Sequence, residues 1–179
     1  MDSSISITGL SDLNDLLSRL PVDIEKKLMR GALRAGQKVI ADQARQAAPV
    51  ATPSAENARL YGTHAGSLRD SIKVFTRIKA GKIISIVRVG NKAAFYAHMV
   101  EFGTAAHWIR PKGAKSLFFA GLMREAINHP GAKKKPFMRP AFDANAQENS
   151  PAFQAVQAYL DGKVNKELAK LPDETDDRA

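Results

Sequence analysis

The chain has 179 residues, of which 44% are hydrophobic and 25% charged, which suits one folded domain with an appendage rather than two ordinary domains. It contains no cysteine, which removes disulfides, thiolate metal sites and cysteine nucleophiles and fits synthesis in a reducing compartment. The formal charge of +9 favours association with polyanions and dictates nothing about fold.

Taken in chain order, Ser3 to Thr8 alternates polar and apolar residues and predicts a short strand, ended by Gly9. Ser11 or Asp12 then caps a helical turn running to Leu20 and broken at Pro21. From Val22 to Ala47 the period is helical: Ile24, Leu28, Ala32, Ala35 and Val39 form a stripe. Asp23 and Glu25 favour its positive end, and Pro49 closes the run. Gly31 and Gly36 each cost the helix about 1 kcal/mol relative to alanine, so another backbone is expected to approach closely on their face.

Pro49 to Gly66, rich in Ala, Pro, Ser and Thr, reads as a long loop, with mobility expected over about 50–65. Ile72 to Ile78 and Ile83 to Val89 are β-branched runs separated by Lys79-Ala80-Gly81-Lys82, a hairpin signal. Ala93 to Phe102 returns to helical spacing, with Gly103 a natural stop. Leu117 to Ala120 predicts a third core strand. After a turn over Ala141 to Gln147 and a kink near Pro151, the residues Phe153, Val156, Leu160, Val164, Leu168 and Leu171 mark a last amphipathic helix. The fold class is therefore α+β: a long N-terminal helix packed on a small antiparallel sheet, with a C-terminal helical arm. The expected division is 1–145 for the α+β domain and 146–179 for the C-terminal helix and acidic tail. No apolar run approaches the roughly 20 residues of a membrane span, and the first ten residues lack the order of a signal peptide.

Charge is unevenly spread. Between Arg110 and Arg139 the only acid is Glu125, whereas Asp173, Glu174, Asp176 and Asp177 crowd the end of the chain. This is either a plain solvated surface or one whose acidic and basic patches meet on neighbouring subunits. The run Lys133-Lys134-Lys135 can neutralise phosphates without reading sequence. A basic nucleic-acid-binding module is the first alternative function, and it predicts duplex binding that weakens steeply with salt.

His98 and Glu101, three apart on a helix, could join His107 as metal ligands. This small metal-dependent hydrolase is the second alternative, but no HExxH spacing supports it. Ser67 and Ser71 have His64 nearby, yet no nucleophile elbow surrounds them, and capping is the favoured reading. The glycines fit neither a P-loop nor a dinucleotide fingerprint. No enzyme, metal or cofactor is expected.

Three blocks in order go beyond composition: Gly66-Ser67-Leu68-Arg69-Asp70-Ser71-Ile72; then Tyr96-Ala97-His98-Met99-Val100-Glu101-Phe102-Gly103-Thr104; then His129-Pro130-Gly131 leading into Lys135-Pro136-Phe137-Met138-Arg139-Pro140-Ala141-Phe142. With the helix ahead and the hairpin between, over roughly residues 20 to 145, they resemble a family of tail components of lambdoid long-tailed bacteriophages. That resemblance implies a virion protein of the neck or tail, assembled in the host cytoplasm. It implies a ring of identical subunits, a hexamer favoured over a dodecamer, between a head-closure protein and a tail-terminator or tail-tube protein. DNA would pass through the lumen without sequence-specific binding. The motif residues Gly66, Leu68, Ser71, Tyr96, Glu101, Phe102, Gly103, Pro136, Phe137 and Pro140 then read as structural or interface positions. Gly103 and Gly131 would make tight turns, Pro136 and Pro140 would fix an extended segment around Phe137, and Glu101 would hold backbone or a neighbouring subunit.

Overall fold

The computed structural model describes residues 21–119 and 121–168; the expected strand at Ser3 to Thr8 and turn through Leu20 lie outside them. Helix α1 spans Val22–Ala47, as its periodicity predicts, and at 1.5 Å per residue is about 39 Å long. The Pro21 carbonyl accepts from the amides of Ile24 and Glu25 at its start. It ends because Ala48 is extended (φ −65°, ψ 128°), the conformation that a following proline demands.

The inward stripe of α1 serves two apolar clusters. Toward its N-terminus Leu28 and Ala32 pack with Leu160 and Val164 of the last helix, α6, Pro151–Leu168. Toward its C-terminus Ile40, Ala41 and Ala44 pack with Leu68, Ile72 and Phe137. The two α1 glycines have different neighbours. A Cβ on Gly36 would stand 2.8 Å from Val156 Cγ2 and 3.1 Å from the Ala152 carbonyl oxygen, so a backbone does approach there. At Gly31 the space is instead filled by the Tyr159 ring and hydroxyl.

Strands β1 (Lys73–Lys79) and β2 (Lys82–Arg88) pair antiparallel, with Val74 opposite Val87 and Lys79 opposite Lys82. Ala80 (φ 49°) and Gly81 (φ 75°) form the turn, the double positive φ of a type I′ hairpin. Val74 and Val87 face the core. On the outer face Phe75 and Ile86 are 46% and 38% exposed, with the Arg88 guanidinium 5.3 Å from the Phe75 ring centroid.

Several expectations need correcting. The stretch expected as a loop from Pro49 to Gly66 contains helix α2, Ala55–Tyr61. Ser54 Oγ caps it by accepting the Asn57 amide, and Gly62 (φ 68°) ends it, a signature present in the sequence. One-turn helix α3 follows at Ser67–Asp70. Ala93 to Phe102 divides into a 3-10 turn, Lys92–Ala94, and helix α4, Ala97–Phe102.

The strand expected at Leu117 to Ala120 is not core. Among the described residues β4 (Leu117–Phe119) pairs only with β5 (Leu122–Arg124), and Phe118 is 75% exposed. Below them β3 (His107–Ile109) pairs with β6 (Ile127–His129), so residues between Thr104 and Ala132 form a ribbon that stands off the body. Helix α5 is Met138–Asp143, earlier than the turn expected over Ala141 to Gln147. Pro151 opens α6 instead of kinking a continuous helix. The buried stripe of α6 runs through Ala152, while Phe153 lies at the surface. The fold is α+β as expected, with α1 as its spine.

Candidate functional site

The three blocks close around the C-terminal end of α1. In the first, Leu68 and Ile72 are buried in the core. Ser71 Oγ donates to the Leu68 carbonyl at 2.7 Å and accepts the Gly90 amide at 3.1 Å, tying α3 to the exit of β2. Arg69 Nε donates to the Ala48 carbonyl at 3.0 Å. Gly66 stands at φ 90° ahead of α3, a conformation that L side chains avoid.

The second and third blocks lock together through Glu101. Its carboxylate, only 7% exposed, accepts the amides of Phe137 (2.8 Å) and Met138 (3.0 Å) on Oε2 and of Arg139 (2.9 Å) on Oε1. A helix start leaves its first amides without intrahelical partners. Here Glu101 takes those of Phe137, Met138 and Arg139, and Pro140 has none to offer. The first turn of α5 is thus satisfied by a residue 36 positions upstream. Burial pushes the Glu101 carboxyl up, but the three backbone bonds outweigh it and hold the group below its ordinary value.

Phe137 is fully buried in the cluster with Ile72 and Ala97. The resemblance implies that Pro136 and Pro140 fix an extended segment around Phe137; instead Pro140 sits inside the first turn of α5, while Pro136 stays outside the helix. The Lys135 amide donates to the Val100 carbonyl at 2.8 Å, and Thr104 and Ala132 exchange backbone bonds at 3.0 and 3.1 Å. Gly103 (φ 75°) and Gly131 (φ 83°) make this contact possible. A Cβ on Gly103 would lie 2.7 Å from the Ala132 oxygen, and one on Gly131 would run into the Thr104 oxygen.

Around this knot, Tyr96 is half-buried, and burial raises its hydroxyl pKa. Phe102, by contrast, is 78% exposed. Between α4 and α5 an open groove of about 540 Å³ is lined by Phe95, His98, Phe102, Met138 and Phe142, with Glu101 at its floor.

The rival sites fare differently. Glu101 is committed to amides, and the His107 ring lies against His129 with centroids 5.2 Å apart. Among the described residues no three His, Cys, Asp or Glu side chains are grouped to hold a metal ion. The structure does bring Ser67 Oγ within 3.0 Å of His64 Nδ1, and His64 Nε2 within 2.8 Å of Asp70 Oδ2, although their spacing argues against a nucleophile and its base. The Asp70 carboxylate and the Gly62 carbonyl raise the imidazole pKa. Ser67, however, is 2% exposed and its Oγ accepts the His64 amide at 2.7 Å, so it closes the turn ahead of α3.

The blocks are thus joined to one another by backbone bonds and core burial. A family model described as "Bacteriophage HK97-gp10, putative tail-component" matches residues 11–103, a little over half of the chain. The chain belongs to this family of bacteriophage tail components. The match takes in the first block and nearly all of the second; the third lies beyond it. No curated protein and no solved structure matches the chain. No described helix is long and apolar enough to cross a membrane.

Proposed function

We propose that the chain is a structural subunit of the head-to-tail connector of a tailed bacteriophage, a neck or tail-completion ring around the DNA channel. The observation that carries this reading is the use of Glu101. In a family of tail components, the motif carboxylate is occupied in bonding the amides of Phe137, Met138 and Arg139, so the blocks build a fixed shape. Exposed apolar side chains on more than one face, among them Phe75, Phe102 and Phe118, favour a subunit whose surfaces are covered by neighbours. Identical subunits joined head to tail close into a ring when the rotation between them permits. We take a hexamer as the favoured number, and a head-closure protein and a tail-terminator or tail-tube protein as its neighbours. DNA would traverse the lumen without sequence-specific contact, since tight binding would arrest passage.

Deletion of the coding sequence from the phage tests the reading by electron microscopy of lysates. DNA-filled heads and complete free tails are expected, with joined virions scarce and restored when the intact chain is supplied in trans. Normal yields of joined virions would reject the connector role. Empty heads would place the chain earlier in assembly.

A further inference from the structure

From Thr104 to Ala132 the chain leaves the body as a two-stranded ribbon whose base is pinned by the bonds described above. Beyond its base it is nearly bare: Trp108 is 61% exposed, Phe118 75%, Leu122 58% and Met123 67%. A two-stranded ribbon is marginal in water by itself, and among the described residues no strand pairs with either edge of this one. Side chains of this size on such an element point to a partner that covers them. On the body of the same chain, the groove between α4 and α5 is open and rimmed by Phe95, Phe102 and Phe142, which are 47%, 78% and 54% exposed.

We infer that the ribbon tip, Phe118 with Leu122 and Met123, docks in the aromatic groove of a second copy of this chain. This deepens the connector reading and rests on it. Area favours this occupant. With about 150–250 Å² to a side chain of this size, the three tip residues and three groove residues leave on the order of 750 Å² uncovered. A stable interface totals roughly 1,200–2,000 Å², so the apolar part supplies about half of it before any polar rim is added. Tip and groove occupy different places on the chain, so the contact is head to tail and can repeat around a ring.

The absence of cysteine makes the test clean. In the full chain, Phe118→Cys and Phe102→Cys are introduced singly and together, and treated with a short bis-maleimide. The doubly substituted chain is expected to give a ladder up to the closed ring on a denaturing gel. An equal mixture of the two single variants should stop at a cross-linked dimer. In sedimentation, Phe118→Ser combined with Met123→Ser should shift the oligomer to monomer with an unchanged circular dichroism spectrum. Cross-linking of Phe118→Cys to itself, with no ladder from the double variant, would overturn the inference in favour of ribbon-to-ribbon contact. No ladder from a chain that sediments as a ring would overturn it and leave the connector reading standing. A wild-type chain that is monomeric at all concentrations, with no ladder from the doubly substituted chain, would defeat both.

Discussion

The Glu101 carboxylate bears on the fold in a way that can be worked through. Truncating it to alanine leaves the Phe137 amide, whose bond is buried, without an acceptor, at about 1–3 kcal/mol. The Met138 and Arg139 amides are only partly buried, so water recovers some of their loss. Removing a negative charge from the α5 N-terminus adds about 0.3–1 kcal/mol. Glu101→Ala should therefore cost on the order of 3 kcal/mol. At about 2–4 °C per kcal/mol for a domain of this size, that lowers Tm by about 6–12 °C. Glu101→Gln keeps one acceptor oxygen but turns an NH2 toward an amide N–H, and should cost about 2 kcal/mol. The carboxyl is held below its ordinary pKa, so its contribution is complete above the unfolded value of about 4.3 and is lost as pH falls through the folded value beneath it. Thermal unfolding of the wild type and Glu101→Gln, followed at 222 nm, should differ by about 4–8 °C at pH 7 and converge as pH falls through the lowered carboxyl pKa. A difference under about 1 °C at pH 7, or one that persists unchanged in acid, would refute the reasoning.

Gly131→Ala forces a side chain to φ 83° and against the Thr104 oxygen; a loss of at least about 2 kcal/mol is expected in urea unfolding. Ala80→Asn puts a left-handed-tolerant residue ahead of Gly81 in the type I′ turn, and should stabilise the chain by about 1 kcal/mol in the same assay. Gly36→Ala meets Val156 and the Ala152 backbone and should destabilise by about 1–3 kcal/mol. Gly31→Ala meets the ring edge and hydroxyl of Tyr159; displacing that ring should offset the gain in helix propensity of about 1 kcal/mol and leave Tm close to wild type. Limited proteolysis should cut first within residues 50–65, because α2 buries no residue, and assembly should slow that cut.

The parts legible in the sequence are those whose signal is local. The stripe and bounding prolines of α1 give Val22–Ala47 without correction, and Lys79 to Lys82 gives the β1–β2 pairing. Helix α2 was marked by Ser54 and Gly62 as caps, but its lack of an apolar stripe hid it behind a loop-like composition. Leu117 to Ala120 looks like core because apolar β-branched or aromatic runs usually are; nothing local tells that its only described partner strand is β5, on a ribbon away from the body. Non-local bonding was the least readable. That Glu101 serves backbone could be expected from its apolar flanks, Val100 and Phe102, but the three amides it takes are 36 to 38 positions away. Pro140 shows the same gap: its place in the first turn of α5 depends on a cap supplied from another segment.

The ribbon leaves and rejoins the body at Thr104 and Ala132, 28 positions apart, and what fixes those two ends lies at its base or in the body: their own paired bonds, Gly103 and Gly131, the Val100 carbonyl and the Glu101 carboxylate. Once such a gateway is closed, chain added beyond it is thermodynamically cheap, since each doubling of a flexible loop costs only about 0.6 kcal/mol in closure entropy. Reach and tip chemistry can therefore diverge while the body keeps its geometry. In a lineage whose neighbouring proteins change in diameter, this is the segment in which insertions and deletions can accumulate without loss of folding.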